Sequence, residues 1–184
     1  MDGLPEISHP AIDIDLRYAT ADNICGRPIY ARAGALLHPD AHAALLRAAD
    51  LAQAHQLRLR MFDAYRPLAA QHCLWAALPD PDFVADPAQG STHNRGVAVD
   101  LTLTDIGGRP FDMGTGFDDM TPQSHHGRTD VGPSAQRNRA HLLGLMALAG
   151  WEHHPYEWWH YNLPAPTRYA IVDDAANVAR LMNV

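Results

Sequence analysis

Three short stretches of this chain carry side chains whose types and spacing suit metal-assisted hydrolysis. The first is Ser91-Thr92-His93-Asn94-Arg95-Gly96-Val97-Ala98-Val99-Asp100, a loop histidine followed by a strand that presents a carboxylate on its polar face. Imidazole nitrogen and carboxylate oxygen are both zinc donors, and a catalytic zinc site uses three protein ligands and leaves one position open. An isolated His-x6-Asp pair is ordinarily a loop histidine and a turn acid. Here the acid stands in the middle of Val97-Ala98-Val99-Asp100-Leu101-Thr102-Leu103, where a half-buried carboxylate requires a compensating partner. The second stretch, Glu157-Trp158-Trp159-His160, offers a third ligand in His160 and an acid three residues before it. On a straight strand these two would point apart, whereas a turn entering the strand at Glu157 would bring both to one centre. The third, Asp63-Ala64-Tyr65-Arg66-Pro67, sets an arginine at a strand-to-helix junction. Such a group can steady negative charge developing on a substrate oxygen, or it can lie solvated against Asp63.

The elements that must position these residues follow from hydrophobic periodicity. Pro39 and Asp40 open a helix over 41–56 with Leu45, Leu46, Ala49 and Ala52 on one face. Residues 57–61 alternate strictly, as do 97–103, and both read as strands. A helix runs from Pro67 to about Leu78, and Ser134 can cap a long helix that ends before Gly150. Short strands are expected at 12–16 and 27–30, with a turn at Cys25-Gly26, and a last strand within 151–163. Residues 105–133, rich in Gly, Pro, Asp and His, read as a long ordered loop of the kind that often serves function. No regular βαβ rhythm appears, so the expectation is one α+β domain over 1–184, a mainly antiparallel sheet flanked by helices.

Bulk properties narrow the function classes. The 184 residues suit one domain, and a net charge of −7 with dispersed arginines argues against nucleic acid as partner. Cys25 and Cys73 form no C-x-x-C pair and no disulfide framework, so they read as structural or incidental thiols. No stretch is apolar enough to span a bilayer, and the acidic, proline-containing start lacks a signal peptide's features. The expected location is cytoplasmic, or periplasmic if a leader has been removed from the sequence. The sequence does not speak to oligomeric state.

Taken in order, these pieces resemble the D-alanyl-D-alanine dipeptidases of the VanX type, within a wider metallopeptidase group that includes D,D-carboxypeptidases and shares the hedgehog-like fold. The resemblance runs over nearly the whole chain, from residues 16–23 through the Asp63–Pro67 and Ser91–Leu103 stretches, Phe117-Asp118-Asp119-Met120, Ser124-His125-His126 and Glu157–His160 to Leu163. It implies one zinc ion on His93, Asp100 and His160, with Glu157 as general base and Arg66 as the transition-state arginine. It further implies Ser91 and Asp118 around the substrate's free amino group and Tyr18 lining the pocket. The implied reaction is hydrolysis of D-Ala-D-Ala or a close D,D-dipeptide. The competing readings are a D,D-carboxypeptidase or cell-wall endopeptidase on longer peptides, and a catalytically silent zinc-binding module. Cys25 departs from the family's threonine-like residue, and 126–130 falls where the family varies in length. His125 or His126 is expected to orient a ligand or line the cleft rather than to form a second metal site. The remaining histidines are given no role.

Overall fold

Strand β2, Leu57–Asp63, and strand β3, Ala98–Asp105, form the centre of the sheet, paired antiparallel with Leu59 opposite Leu103 and Met61 opposite Leu101. Their aliphatic residues alternate, so Leu59, Met61, Val99, Leu101 and Leu103 share a face and are almost fully buried. That face is covered by two helices, α1 (Pro39–Ala54) and α3 (Pro133–Leu148), which also pack on each other. The buried side of α1 is largely alanine (Ala41, Ala44, Ala48, Ala49, Ala52 with Leu45), which permits close approach to the sheet, while Leu46 is only half-buried. The helix ends at Ala54 because Gln56 takes a left-handed conformation, φ +57°.

The computed structural model of the chain describes residues 3–172 and 175–182. In chain order its remaining elements are β1 (Ile12–Ile14), α2 (Leu68–Ala77), β4 (Glu152–His153), β5 (His160–Asn162) and α4 (Ala175–Leu181). The sheet runs β1-β2-β3-β5-β4. Only β1 pairs parallel, with Ile12 opposite Leu59, and the other pairings are antiparallel. The α+β class and mainly antiparallel sheet are therefore as expected from the sequence. No helix among the described residues is long and apolar enough to cross a membrane.

Several local expectations are corrected. Residues 27–30 form no strand: the N–H groups of Ile29 and Tyr30 both donate to the Tyr18 carbonyl (2.8 Å each), folding the segment back on the Tyr18 turn. Ser134 is not a cap, because α3 begins one residue earlier on Pro133, behind Gly132. Its hydroxyl instead accepts from Arg137 Nη2 at 3.1 Å. The single strand expected in 151–163 is two, β4 and β5, separated by the turn that carries Glu157. The long loop is present and is pinned by Arg139 of α3. Its Nε donates to the Met113 carbonyl (2.7 Å) and its Nη1 to those of Gln123 (2.8 Å) and His125 (3.0 Å).

Candidate active site

On the face of the sheet away from α1 and α3, β3 presents Asp100, and its neighbours supply two imidazoles. His93 stands in a short turn, His93–Arg95, that Gly96 closes at φ +68°, and the turn leads directly into β3. His160 opens β5 and lies opposite Asp100 in the register. The His93, Asp100 and His160 donor atoms lie within 4.8 Å of one another, all buried. His93 Nε2 is 3.3 Å from Asp100 Oδ2, and His160 Nδ1 is 3.0 Å from Asp100 Oδ1 and 3.1 Å from His93 Nε2.

The outer atoms of both rings fix their orientation. His93 Nδ1 faces the Ala64 carbonyl at 2.7 Å, and since a carbonyl only accepts, this nitrogen carries the proton. His160 Nε2 has a hydroxyl partner, Thr92 Oγ1, at 3.3 Å. The inner nitrogens of the two rings face each other and a carboxylate, which is the donor set of a metal centre. Burial, above all, holds the His160 pKa below the usual histidine range, with the neighbouring His93 and Arg66 adding to it and Asp100 opposing. Asp100 feels burial in the upward direction, but His93 and His160 outweigh it and hold its carboxyl well below the ordinary carboxylate range. A neutral imidazole and an ionised carboxylate are the forms that bind metal.

Arg66 reaches the same centre from the β2–α2 junction. The ladder between β2 and β3 shifts register between Met61 and Asp63, and Met61, Phe62 and Asp63 are consecutively buried. Asp63 accepts from Arg66 Nε (2.8 Å) and from the Tyr30 hydroxyl (2.9 Å). Arg66 Nη1 donates to Gln71 Oε1 at 3.0 Å, and Nη2 lies 3.5 Å from Asp100 Oδ2. Its guanidinium carbon stands 5.0 Å from the centre of the Tyr18 ring. The reading of Arg66 as a partner of Asp63 holds, but the arginine is buried, not solvated. Gln71 also donates from Nε2 to the Ala85 carbonyl (2.7 Å), which ties the segment lining the cavity's edge to α2.

Glu157 enters on the turn before β5, where His160 N–H donates to the Glu157 carbonyl (3.3 Å). The turn brings Glu157 Oε2 to 3.7 Å from His160 Nδ1. Burial first, and then the charges of Asp100 and Asp118, push its carboxyl well above the usual range, against the pull of Arg66. Asp118 is fixed by the Tyr18 hydroxyl (3.1 Å) and the Ile24 N–H (3.4 Å). Burial, followed by Asp100, raises it to about 7, with Arg66 and the Tyr18 hydrogen bond opposing. Ser91 Oγ accepts from the His93 N–H at 3.2 Å.

All eight residues singled out from the sequence (Tyr18, Arg66, Ser91, His93, Asp100, Asp118, Glu157 and His160) line one cavity of about 220 Å³. The structure gives His125 and His126 no place in its lining: His125 stacks on Tyr156, and His126 lies against His153. His154 lines it instead, its ring 5.5 Å from that of His160, and sequence reasoning passed over it. Gln71 and Thr92 were likewise unassigned. A histidine alternating out of β4 carries no local signal that separates it from its neighbours. Cys25 and Cys73, distant in sequence, meet beside the cavity, with Cys25 Sγ 3.6 Å from the Cys73 carbonyl.

Residues 5–179 match the family described as D-ala-D-ala dipeptidase. The chain belongs to this metallopeptidase family. It is 47% identical over 165 residues to the D-alanyl-D-alanine dipeptidase of Escherichia coli K12, covering 90% of this chain and 86% of that protein. The Enterococcus faecium protein of the same name is 33% identical over 190 residues, covering 90% and 94%. That of Streptomyces coelicolor is 35% identical over 182 residues, covering 84% and 89%. Family membership makes the chain a metallopeptidase, and so a hydrolase.

Proposed function

We propose that this chain is a zinc-dependent dipeptidase that cleaves D-Ala-D-Ala, or a closely related D,D-dipeptide, into free amino acids. The observation that carries this reading is one small cavity holding a His-Asp-His donor set, a buried glutamate, an arginine and a separate carboxylate. Its size favours a two-residue ligand, since pockets for larger organic ligands begin at about 300 Å³. The E. coli, E. faecium and S. coelicolor relatives, named for this activity, support it.

His93, Asp100 and His160 would hold one zinc ion, which supplies Lewis acidity and brings the pKa of water towards about 7. Glu157 accepts the proton of the attacking water and returns it to the leaving amine, roles that its raised proton affinity favours. Arg66 donates from Nε to Asp63 and from Nη1 to Gln71, and its Nη2 is ion-paired with Asp100, which locks the fork in place. Its other N–H groups donate to the oxygen of the tetrahedral intermediate. Asp118, with Ser91 and Tyr18 beside it, pairs with the substrate's ammonium group, a countercharge that an amino group entering a confined site requires.

The deciding experiment is release of D-alanine from D-Ala-D-Ala by the purified protein, with chelator and with zinc added back. Release that chelator abolishes and zinc restores supports the reading; a folded, zinc-loaded sample that releases none defeats it. Glu157→Gln is expected to keep its zinc, measured by metal analysis, and to lose most turnover. N-acetyl-D-Ala-D-Ala is expected to be cleaved poorly, and equal cleavage of both would favour a carboxypeptidase instead. The cytoplasmic location and the absence of a nucleic-acid partner remain part of this reading.

A further inference from the structure

The cavity has chemically different sides. Asp118, held by Tyr18 and Ile24, supplies a carboxylate. His154 stands against a donor-set histidine: its N–H donates to the His160 carbonyl at 3.0 Å, its ring lies against His160, and Asn162 also lines the cavity. Asp100 is the charged neighbour that both share.

A dipeptide is a zwitterion, and its carboxylate needs a donor as surely as its ammonium needs Asp118. This step rests on the dipeptidase reading. Most of the candidate donors are engaged. Arg66 is committed to Asp63, Gln71, Asp100 and the oxyanion, while His93 and His160 belong to the donor set. The Tyr18 hydroxyl donates to Asp118, and Asn162 Nδ2 donates to the Leu163 carbonyl at 3.0 Å. His154 is the cavity-lining imidazole outside these assignments. Its Nδ1 is fully buried and has no hydrogen-bond partner among the described residues. With Nδ1 buried, Nε2 is the ring nitrogen left to donate to a ligand.

We propose that His154 is the specificity-determining residue that recognises the free C-terminal carboxylate of the dipeptide through its Nε2–H. The two ends of the substrate are then read by different residues, the ammonium by Asp118 and the carboxylate by His154. A substrate whose second residue continues into a longer chain, or ends in an amide, forfeits the second contact.

The test compares D-Ala-D-Ala with D-alanyl-D-alaninamide on the zinc-loaded enzyme, following release of the N-terminal D-alanine. A hydrogen bond to a charged group contributes on the order of 1.5–3 kcal/mol, which corresponds to a preference for the free acid of at least about tenfold in kcat/KM. His154→Phe keeps a ring against His160 and Tyr156 but removes the donor. It is expected to raise KM for the dipeptide more than it lowers kcat, and to bring the acid-to-amide ratio close to one. His154→Gln, which restores an N–H, is expected to recover part of the preference. Wild-type enzyme that cleaves acid and amide alike overturns the proposal, and this arm requires no variant. So does a His154→Phe enzyme that loses kcat equally on both while keeping the acid-to-amide ratio, since that is a structural role. Wild-type enzyme that cleaves neither defeats the dipeptidase reading itself, and the His154 proposal falls with it.

Discussion

Asp118 sits in a left-handed backbone conformation, φ +60°, with its carboxyl buried and its proton affinity raised to about 7. Each of these costs free energy, and the cost is understandable if the group waits for a cation. Below the ordinary carboxylate range Asp118 is protonated whether the chain is folded or not, so it makes no difference to stability there. As pH rises towards 7 the unfolded chain ionises freely and the folded one resists, and the fold loses on the order of a few kcal/mol. Asp118→Asn is therefore expected to melt higher than wild type at pH 8 and alike at pH 3, by calorimetry. Function runs the other way: KM for the dipeptide is expected to fall as pH rises through about 7, and Asp118→Asn to lose that dependence. Arg66→Ala is expected to lower turnover about 100-fold to 1000-fold with zinc retained, because the proposed oxyanion donor is gone. A stability loss accompanies it, since Asp63 and Gln71 are left buried without their partner.

At the scale of elements, the donor set depends on how sharply the chain turns from His93 into β3. Gly96 makes that turn at φ +68°, and a Cβ there would lie 3.1 Å from the backbone nitrogen of His38. Gly96→Ala is expected to cost about 1–2 kcal/mol from its backbone conformation alone. Denaturant unfolding would register that loss, and chelator competition would register zinc affinity weakened about tenfold or more as His93 moves. The central strands, the three longer helices and the pinned loop were legible because burial imposes period on sequence: Leu59, Met61, Leu101 and Leu103 announce themselves. The Glu157-His160 spacing showed that one turn would unite the pair, and the turn is present. What was not legible depends on distant partners. Nothing in residues 27–30 reveals that they fold back on Tyr18, nor does anything local to His154 or Gln71 disclose the cavity they face. Ser134 has the right residue type for a cap, yet proline one position earlier, preorganised for a first helical turn, sets the boundary.

For the molecule as a whole, the proposed set of three buried ligands would make metal and fold interdependent, because a cation that binds only the folded chain stabilises it by mass action. Zinc at about 100 times its dissociation constant contributes about 2.7 kcal/mol, which for a chain of this size raises Tm by about 5–10 °C. Thermal melts with zinc and with chelator check this, and coincident curves would mean that the donor set binds no zinc. The cavity's walls come from Tyr18 near one end of the chain, Arg66 and Asp100 in the middle, and Glu157, His160 and Asn162 late in it. During synthesis a ribosome must therefore release more than 160 residues before the hydrolytic centre can close. A chain that stops short of residue 157 lacks Glu157 and His160 together, so the proposed base and the last proposed metal donor emerge within three residues of each other.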